Sequence, residues 1–298
     1  MSDRLELLRP VLSRYQRRFT VLDLGAGINH PTLGYEIAQE FDVVVVEVEK
    51  DWKPVEPIGK RTMVLKHKFT VPDLMKLSEC EHFDVVIAFN FIHWFGVEWQ
   101  AAADAVLGMG DYVFVQPPTN KDMESSLYKQ AWPESWRDVP HMNGYFREHA
   151  EWLGSTSQFP GHPPRPIYMR GNGVKRLTRT NWDAPLADAD IVVYSTHKLI
   201  QGSFQHKIPR EHREWAPGIN LWNFCRLGGI VPCFDEIQEM LRRLSLPDKK
   251  HGDIQPWNMI LDGEHLHLID GGDTWGGDDR EGLANTIRKV GECFKQST

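Results

Sequence analysis

Val21-Leu22-Asp23-Leu24-Gly25-Ala26-Gly27 decides the reading of this chain. An apolar run, 20–24, breaks into two glycines, and a helical pattern begins a few residues later, at 33–40. Glycines at a strand-to-helix turn let the backbone approach a ligand closely, at the carboxyl edge where open α/β sheets bind their ligands. Working outward, 41–48 is a β-branched run that favours a second strand. Residues 63–65, 83–89 and 112–115 supply three more, with a helical segment at 101–107 between the last two. Strands alternating with helices predict a mostly parallel sheet covered on both faces. Ahead of it, the Arg-rich amphipathic stretch 5–19 is expected to pack before the first strand with its arginines in water. Segment 117–166, rich in Trp, Pro and His, reads as irregular helices over the carboxyl ends of the strands. Residues 174–178 and 191–194 are expected to close the sheet as an antiparallel pair. A helix at 234–244 and a hairpin at 259–269 follow.

Composition narrows the partners. The chain has 298 residues, enough for one large domain or two modest ones. Its 34 Lys and Arg face 41 Asp and Glu, a formal charge of −7, which argues against a general nucleic-acid binder. The amino terminus lacks the basic-then-apolar pattern of a signal peptide, and no apolar run approaches membrane-spanning length. The four cysteines are scattered without a C-x-x-C pair, as befits free thiols of a reducing compartment. A cytoplasmic protein is expected.

A second acid, Glu47, stands twenty residues after Gly27, where a carboxylate can accept both hydroxyls of a ribose; Glu49 competes for that role. A dinucleotide fingerprint wants a third glycine where His30 stands, followed by Pro31. Asp23, just before the turn, repels a pyrophosphate and suits a cation. These features favour the sulfonium and ammonium of S-adenosylmethionine over a nicotinamide carrier. Methyl transfer from a sulfonium rests on positioning, and a base is needed only where the acceptor must lose a proton. His93, just past the fourth strand, is the candidate base, with His30, His141, His149 and His162 as alternatives.

Residues 20–116 resemble a class I S-adenosylmethionine-dependent methyltransferase. The resemblance rests on the glycine motif, on Glu47, on Phe83-Asp-Val-Val-Ile-Ala-Phe-Asn-Phe-Ile-His-Trp-Phe95, and on Gly110-Asp-Tyr-Val-Phe-Val115. It implies a Rossmann-like, seven-stranded α/β sheet. It also implies that Asp23, Gly25, Gly27 and Asn29 surround the methionine part of the donor, with Glu47 at the ribose and Asn90 and Phe91 nearby. The chain departs from the family at Lys66-His67-Lys68, where an acid or small polar residue usually meets the adenine, and at residues 28–30. After the fourth strand it has Asn90-Phe-Ile-His instead of the Asn/Asp-Pro-Pro-aromatic motif of base methylation. A small-molecule or saccharide acceptor is expected, and nucleic acid is not.

A second signature lies near the carboxyl terminus. In His251-Gly-Asp-Ile-Gln-Pro-Trp-Asn258, Asp253 and Asn258 stand five apart, and Asp270 follows an apolar run twelve later. The spacing resembles the catalytic loop of aminoglycoside-phosphotransferase and choline-kinase-like kinases. That resemblance implies Asp253 as base and Asn258 and Asp270 as magnesium ligands. The glycine loop and strand lysine that a kinase needs upstream are missing, so three readings stay open. They are a degenerate lobe kept for packing, a working phosphotransferase using Mg2+ and ATP, and a coincidence of hairpin chemistry. The whole chain is similar to bacterial methyltransferase–kinase proteins that cap surface polysaccharides, which implies a saccharide or phosphosaccharide acceptor. The expected organisation is a methyltransferase domain at 1–198 and a smaller, kinase-C-lobe-like α+β appendage at 199–298.

Overall fold

Five strands meet as the sequence predicts. They are β1 (Phe19–Leu24), β2 (Val43–Val48), β3 (Thr62–Leu65), β4 (Phe83–Phe89) and β5 (Gly110–Gln116). The computed structural model describes residues 3–27, 31–53, 58–59, 61–123, 139–157, 163–172, 216–244, 254–269 and 278–297. Within it β1 lies between β2 and β4, with β3 beyond β2 and β5 beyond β4, all parallel. Valine-rich strands buried on both faces are what such a sheet requires. In β2, Val44, Val46 and Val48 enter one core while Val43 and Val45 enter the other. Helices α1 (Asp3–Leu12) and α2 (Leu33–Glu40) cover the second core through Leu5, Leu8 and Ile37. Helices α3 (Val71–Cys80) and α4 (Trp99–Leu107) cover the first through Leu74, Leu77, Ala103 and Val106. The chain runs outward from β1 to β3 and then returns to β4, so a crevice opens at the carboxyl ends of β1 and β4.

Two expectations need correction, and a third falls outside the described residues. The antiparallel pair that closes the sheet beyond β5 is β6 (Glu151–Thr156) with β7 (Arg165–Gly171), inside the stretch read as irregular. Pro166 within β7 and a register shift near Gly154 in β6 broke the pattern that marks a strand. Residues 174–178 and 191–194, expected to form that pair, lie outside the described residues. Finally, among the described residues the sheet has eight strands, not seven, in the order β6-β7-β5-β4-β1-β2-β3-β9. The eighth, β9 (Gly229–Val231), comes from the carboxyl-terminal region and lies antiparallel on β3, covering an otherwise open edge.

The remaining elements are α5 (Asn120–Met123), α6 (Val139–His149), β8 (Ile219–Asn220), α7 (Leu221–Arg226), α8 (Phe234–Arg243), the hairpin β10 (Met259–Leu261) and β11 (Leu266–Leu268), and α9 (Asp279–Ser297). β8, β10 and β11 form a separate three-stranded antiparallel sheet. From residue 216 onward the chain completes the core over α3 and α4: Ile219, Phe224, Leu241, Leu261 and Val290 share one apolar cluster with Leu74 and Leu107. Polar contacts fasten it to the amino ends of the strands. The Gly218 amide donates to Thr20 Oγ1 at 2.7 Å, and Glu81 Oε1 accepts from the Asn220 amide and Asn223 Nδ2, each at 2.8 Å. The expected boundary at 198/199 lies outside the described residues.

At Gly229 a Cβ would stand 2.2 Å from Cε1 of the fully buried Phe224. Gly229→Ala therefore overpacks the seam between β9 and α7, at roughly 1–3 kcal/mol. The expected outcome in a thermal melt is a midpoint several degrees below wild type. An unchanged midpoint would contradict the seating of β9.

Candidate functional site

A cavity of about 820 Å³ opens at the carboxyl ends of β1, β2 and β4. Asp23, Gly25, Gly27, Asn90 and Phe91, named as donor-binding candidates from the sequence, all line it. Asn29 lies outside the described residues. The turn is built by two glycines with left-handed backbones, φ +72° at Gly25 and +88° at Gly27. Amides of Gly25 and Ala26 donate to Val48 O at 2.9 and 3.2 Å, tying the turn to the end of β2. A Cβ on Gly25 would come within 3.2 Å of the Phe91 ring, so the turn and the residue after β4 close on each other.

Glu47 is not in the cavity. In register it pairs with Asp23, one residue short of the strand ends. Its Oε1 accepts from the hydroxyl of Thr32 at 2.5 Å, and Thr32 caps α2 by accepting from the Tyr35 amide at 3.1 Å. Gly34 leaves room for that carboxylate, since a Cβ there would stand 2.7 Å from Glu47 Oε1. Glu47 thus sits beneath the positive end of a helix, in a supporting role. Glu49 lines the cavity instead, and its Oε2 accepts from the Gly27 amide at 3.1 Å. The register could have shown this: β1 and β2 run level through Leu24 and Val48, so the acid that reaches past the edge is the one after Val48.

Asp23 is 3% exposed, and its Oδ2 has no hydrogen-bond partner among the described residues. Burial, reinforced by the negative charge of Glu47, pushes the carboxyl up to about 8, against the pull of Arg4. Arg4 also lines this cavity, and the sequence reading did not single it out. Its guanidinium carbon lies 5.2 Å from the centre of the Phe89 ring, and Nη2 donates to Gln116 Oε1 at 2.6 Å. Nε is buried without a partner among the described residues, and burial draws the group down to about 10. The signal was available in α1. Arg4 stands one turn before Leu8, at the head of the buried stripe, and not among the solvated arginines. No ion pair joins Arg4 to Asp23, although each feels the other's charge.

His93 lies in the 3-10 segment Ile92–Glu98, 6% exposed and outside the cavity lining. Burial, aided by the charge of Arg165, lowers its imidazole to about 3, so at neutral pH it is uncharged and too weak to serve as the expected base. Asn258 packs beside β10, next to Trp257, whose carbonyl accepts from Asn220 Nδ2 at 2.6 Å. Asn220 in turn binds Glu81 at the start of β4, so Asn258 belongs to the opposite edge of the sheet from the cavity. Asp253 and Asp270 lie outside the described residues. No cluster of metal-ligating side chains occurs among the described residues, and no helix there is long and apolar enough to cross a membrane.

No protein-family model matches the chain, and no curated protein does. Solved structures similar to it include a precorrin-6y C5,15-methyltransferase from Geobacter metallireducens GS-15, with 14% identity over 55% of this chain and 86% of that one, TM-score 0.34. A putative RNA methyltransferase from Pyrococcus horikoshii shares 16% identity over 57% of this chain and 84% of its own, TM-score 0.35. A SAM-dependent methyltransferase from Geobacter sulfurreducens, solved with S-adenosyl-L-homocysteine, shares 11% identity over 51% and 66%, TM-score 0.31.

The Asp23 carboxyl makes the empty protein's stability pH-dependent. Unfolded, an aspartate titrates near ~4; folded, this one titrates near about 8. Between those values the folded chain holds a proton that the unfolded chain lacks, so this group withdraws stability as pH rises across the window. Asp23→Asn removes the effect. The variant's melting midpoint is expected to gain on wild type from pH 5 to 8 and to hold a constant lead above that. Melts showing a difference that is flat with pH would contradict the assignment.

Proposed function

We propose that the chain is an S-adenosylmethionine-dependent methyltransferase acting on a small-molecule or saccharide acceptor. One observation carries this reading: Asp23 and Arg4, of opposite character, line one cavity, and Asp23 Oδ2 and Arg4 Nε are each buried without a partner among the described residues. A buried group of either kind is costly without a partner. An α-amino acid head, ammonium at one end and carboxylate at the other, satisfies both at once. S-adenosylmethionine presents such a head, and a nicotinamide carrier presents a pyrophosphate that Glu49 would repel and that brings Asp23 no cation. Glu49, anchored by the Gly27 amide, is the acid suited to the ribose hydroxyls, and Gly25 and Gly27 give the backbone its close approach.

When bound, S-adenosylmethionine supplies a methyl group on a positively charged sulfur. The protein's own part is to hold and orient. Asp23 and Arg4 fix the amino acid head, and Phe89, Phe91 and Phe95 wall the cavity with apolar surface that thins the water around it. Positioning of this kind supplies much of the acceleration in a displacement whose leaving group needs no proton. Trp94, half exposed on the same lining with the Lys50 ammonium 5.5 Å from its ring centre, offers an aromatic face at the mouth for the acceptor. Phosphoryl transfer with Mg2+ and ATP at Asp253, Asn258 and Asp270 is the second reading. Nothing among the described residues favours it.

Calorimetry with S-adenosylhomocysteine tests the proposal. Wild type is expected to bind it and not NAD. Asp23→Asn and Arg4→Ala each weaken binding by roughly 10- to 100-fold, the range for hydrogen bonds to charged groups. An ammonium prefers the ionised Asp23, so below about pH 8 binding expels its proton. Affinity therefore rises from pH 6 to 8 and then levels, and Asp23→Asn abolishes both the rise and the proton release. NAD binding without S-adenosylhomocysteine binding overturns the reading. A separate pair of variants sorts the two glutamates: Glu49→Ala weakens the ligand at unchanged melting temperature, and Glu47→Ala lowers the melting temperature.

A further inference from the structure

Beneath the cavity lies an ion pair that does not itself line it. Arg165, at the start of β7, is 3% exposed, and Asp122, in the short helix after β5, is 1% exposed. Their contact is bidentate: Nε to Oδ2 at 3.0 Å and Nη2 to Oδ1 at 2.7 Å. Asp122 Oδ2 also accepts from the amide and hydroxyl of Thr119, at 2.7 and 2.9 Å, so the carboxylate is held from two sides. The third arm of the guanidinium, Nη1, donates to Asn90 Oδ1. The Arg165 carbonyl accepts from Gln116 Nε2 at 3.4 Å, and Gln116 Oε1 holds Arg4.

Asn90 is the member of this network that faces the cavity. It ends β4 in a left-handed backbone conformation, φ +55°, which a non-glycine residue adopts only where its surroundings hold it. Its amide donates to Gln116 O at 3.1 Å, and its carbonyl accepts from Trp94 Nε1 at 2.8 Å. A buried pair of this kind gives little net stability, since apolar residues of similar volume often serve as well. What it delivers here is geometry. A guanidinium already engaged along one edge by Asp122 has one direction left in which to point, and Asn90 Oδ1 lies there.

We infer that Arg165 is a positioning residue of the donor cavity. Braced by Asp122, it fixes the side-chain amide of Asn90 and so shapes the floor beside Phe91 on which the donor rests. The inference builds on the methyl-donor reading above. Lysine cannot replace Arg165, because an ammonium lacks the planar fork that binds Asp122 and Asn90 together.

The test is a cycle of variants read by S-adenosylhomocysteine affinity and by melting temperature. Asn90→Ala is expected to weaken binding roughly tenfold, as the loss of one positioned hydrogen-bonding group does. The paired change Arg165→Met with Asp122→Leu keeps the volume apolar and the fold intact, and it weakens binding by the same factor. Adding Asn90→Ala to the pair costs nothing more, because Arg165 acts through Asn90. Arg165→Lys, which retains a charge opposite Asp122, gives the same loss near the wild-type melting temperature. Wild-type affinity in the folded Arg165→Met/Asp122→Leu or Arg165→Lys protein overturns the inference, as do losses that multiply to roughly a hundredfold in the triple variant. Those outcomes leave the methyl-donor reading standing. Failure of the wild-type protein to bind S-adenosylhomocysteine removes both.

Discussion

A carboxylate and a guanidinium, buried at one end of a parallel sheet and kept apart, set the terms for the rest of this molecule. Left in water, Asp23 and Arg4 would each be fully solvated; in the cavity each has an atom without a partner. The fold holds them there by means that cost it stability. Two glycines bend the chain after β1 through left-handed backbone, and α1 carries Arg4 into place because Leu5, Leu8 and Leu12 behind it are fully buried. Gln116, at the end of β5, holds the guanidinium by one nitrogen and leaves another facing the cavity. An arrangement that keeps an acid and a guanidinium each short of a partner is suited to a ligand that brings both complements.

The supporting acids show how the cavity obtains its polarity. Glu47 and Asp23 stand level on adjacent strands, and their mutual repulsion adds to burial in raising the Asp23 carboxyl. Glu47 is steadied by Thr32 at the start of α2, so a helix N-terminus, a threonine and the space above Gly34 are all committed to keeping a second acid next to the first. The consequence is an Asp23 that carries a proton in the empty protein at neutral pH. On the proposed methyl-donor reading, the cavity would accept a cation there without holding a full negative charge in an apolar setting when empty.

What the sequence made legible follows from how each element is buried. β1, β2 and β4 are buried throughout, mostly apolar and bounded by turns, so their type and order could be read, and with them the cavity position of Asp23, Gly25, Gly27, Asn90 and Phe91. β6 and β7 could not. β6 is an edge strand with Trp152 and Glu151 in solvent, and β7 contains a proline, so neither shows the pattern of a buried strand. Glu47 was preferred to Glu49 because spacing along the chain does not reveal where a strand ends; only the register with β1 does. His93 looked available beside Asn90 until the turn of Ile92–Glu98 folded it inward. Arg4 stands one residue ahead of the amphipathic stretch read at 5–19, so nothing in that pattern singled it out. Arg165 and Asp122 are 43 residues apart, a pairing that nothing local could announce.

The two edges of the sheet make the functional one recognisable without reference to any ligand. At the amino ends buried polar groups answer one another. Asp84 accepts from the Thr20 amide at 2.7 Å and pairs with Arg17 at 2.5 Å, and His82 Nε2 lies 2.8 Å from Asp111. Glu81 holds Asn220 and Asn223, and the carboxyl-terminal elements close over this edge with apolar side chains. These contacts fasten the fold at this edge, where Thr62 Oγ1 at the start of β3 is left without a partner among the described residues. At the carboxyl ends the same sheet leaves Asp23 Oδ2 and Arg4 Nε unanswered, holds Asn90 in a left-handed conformation, and opens a cavity between them. At this edge strain, missing partners and an open cavity coincide, and that coincidence marks where the chain gives up stability for binding.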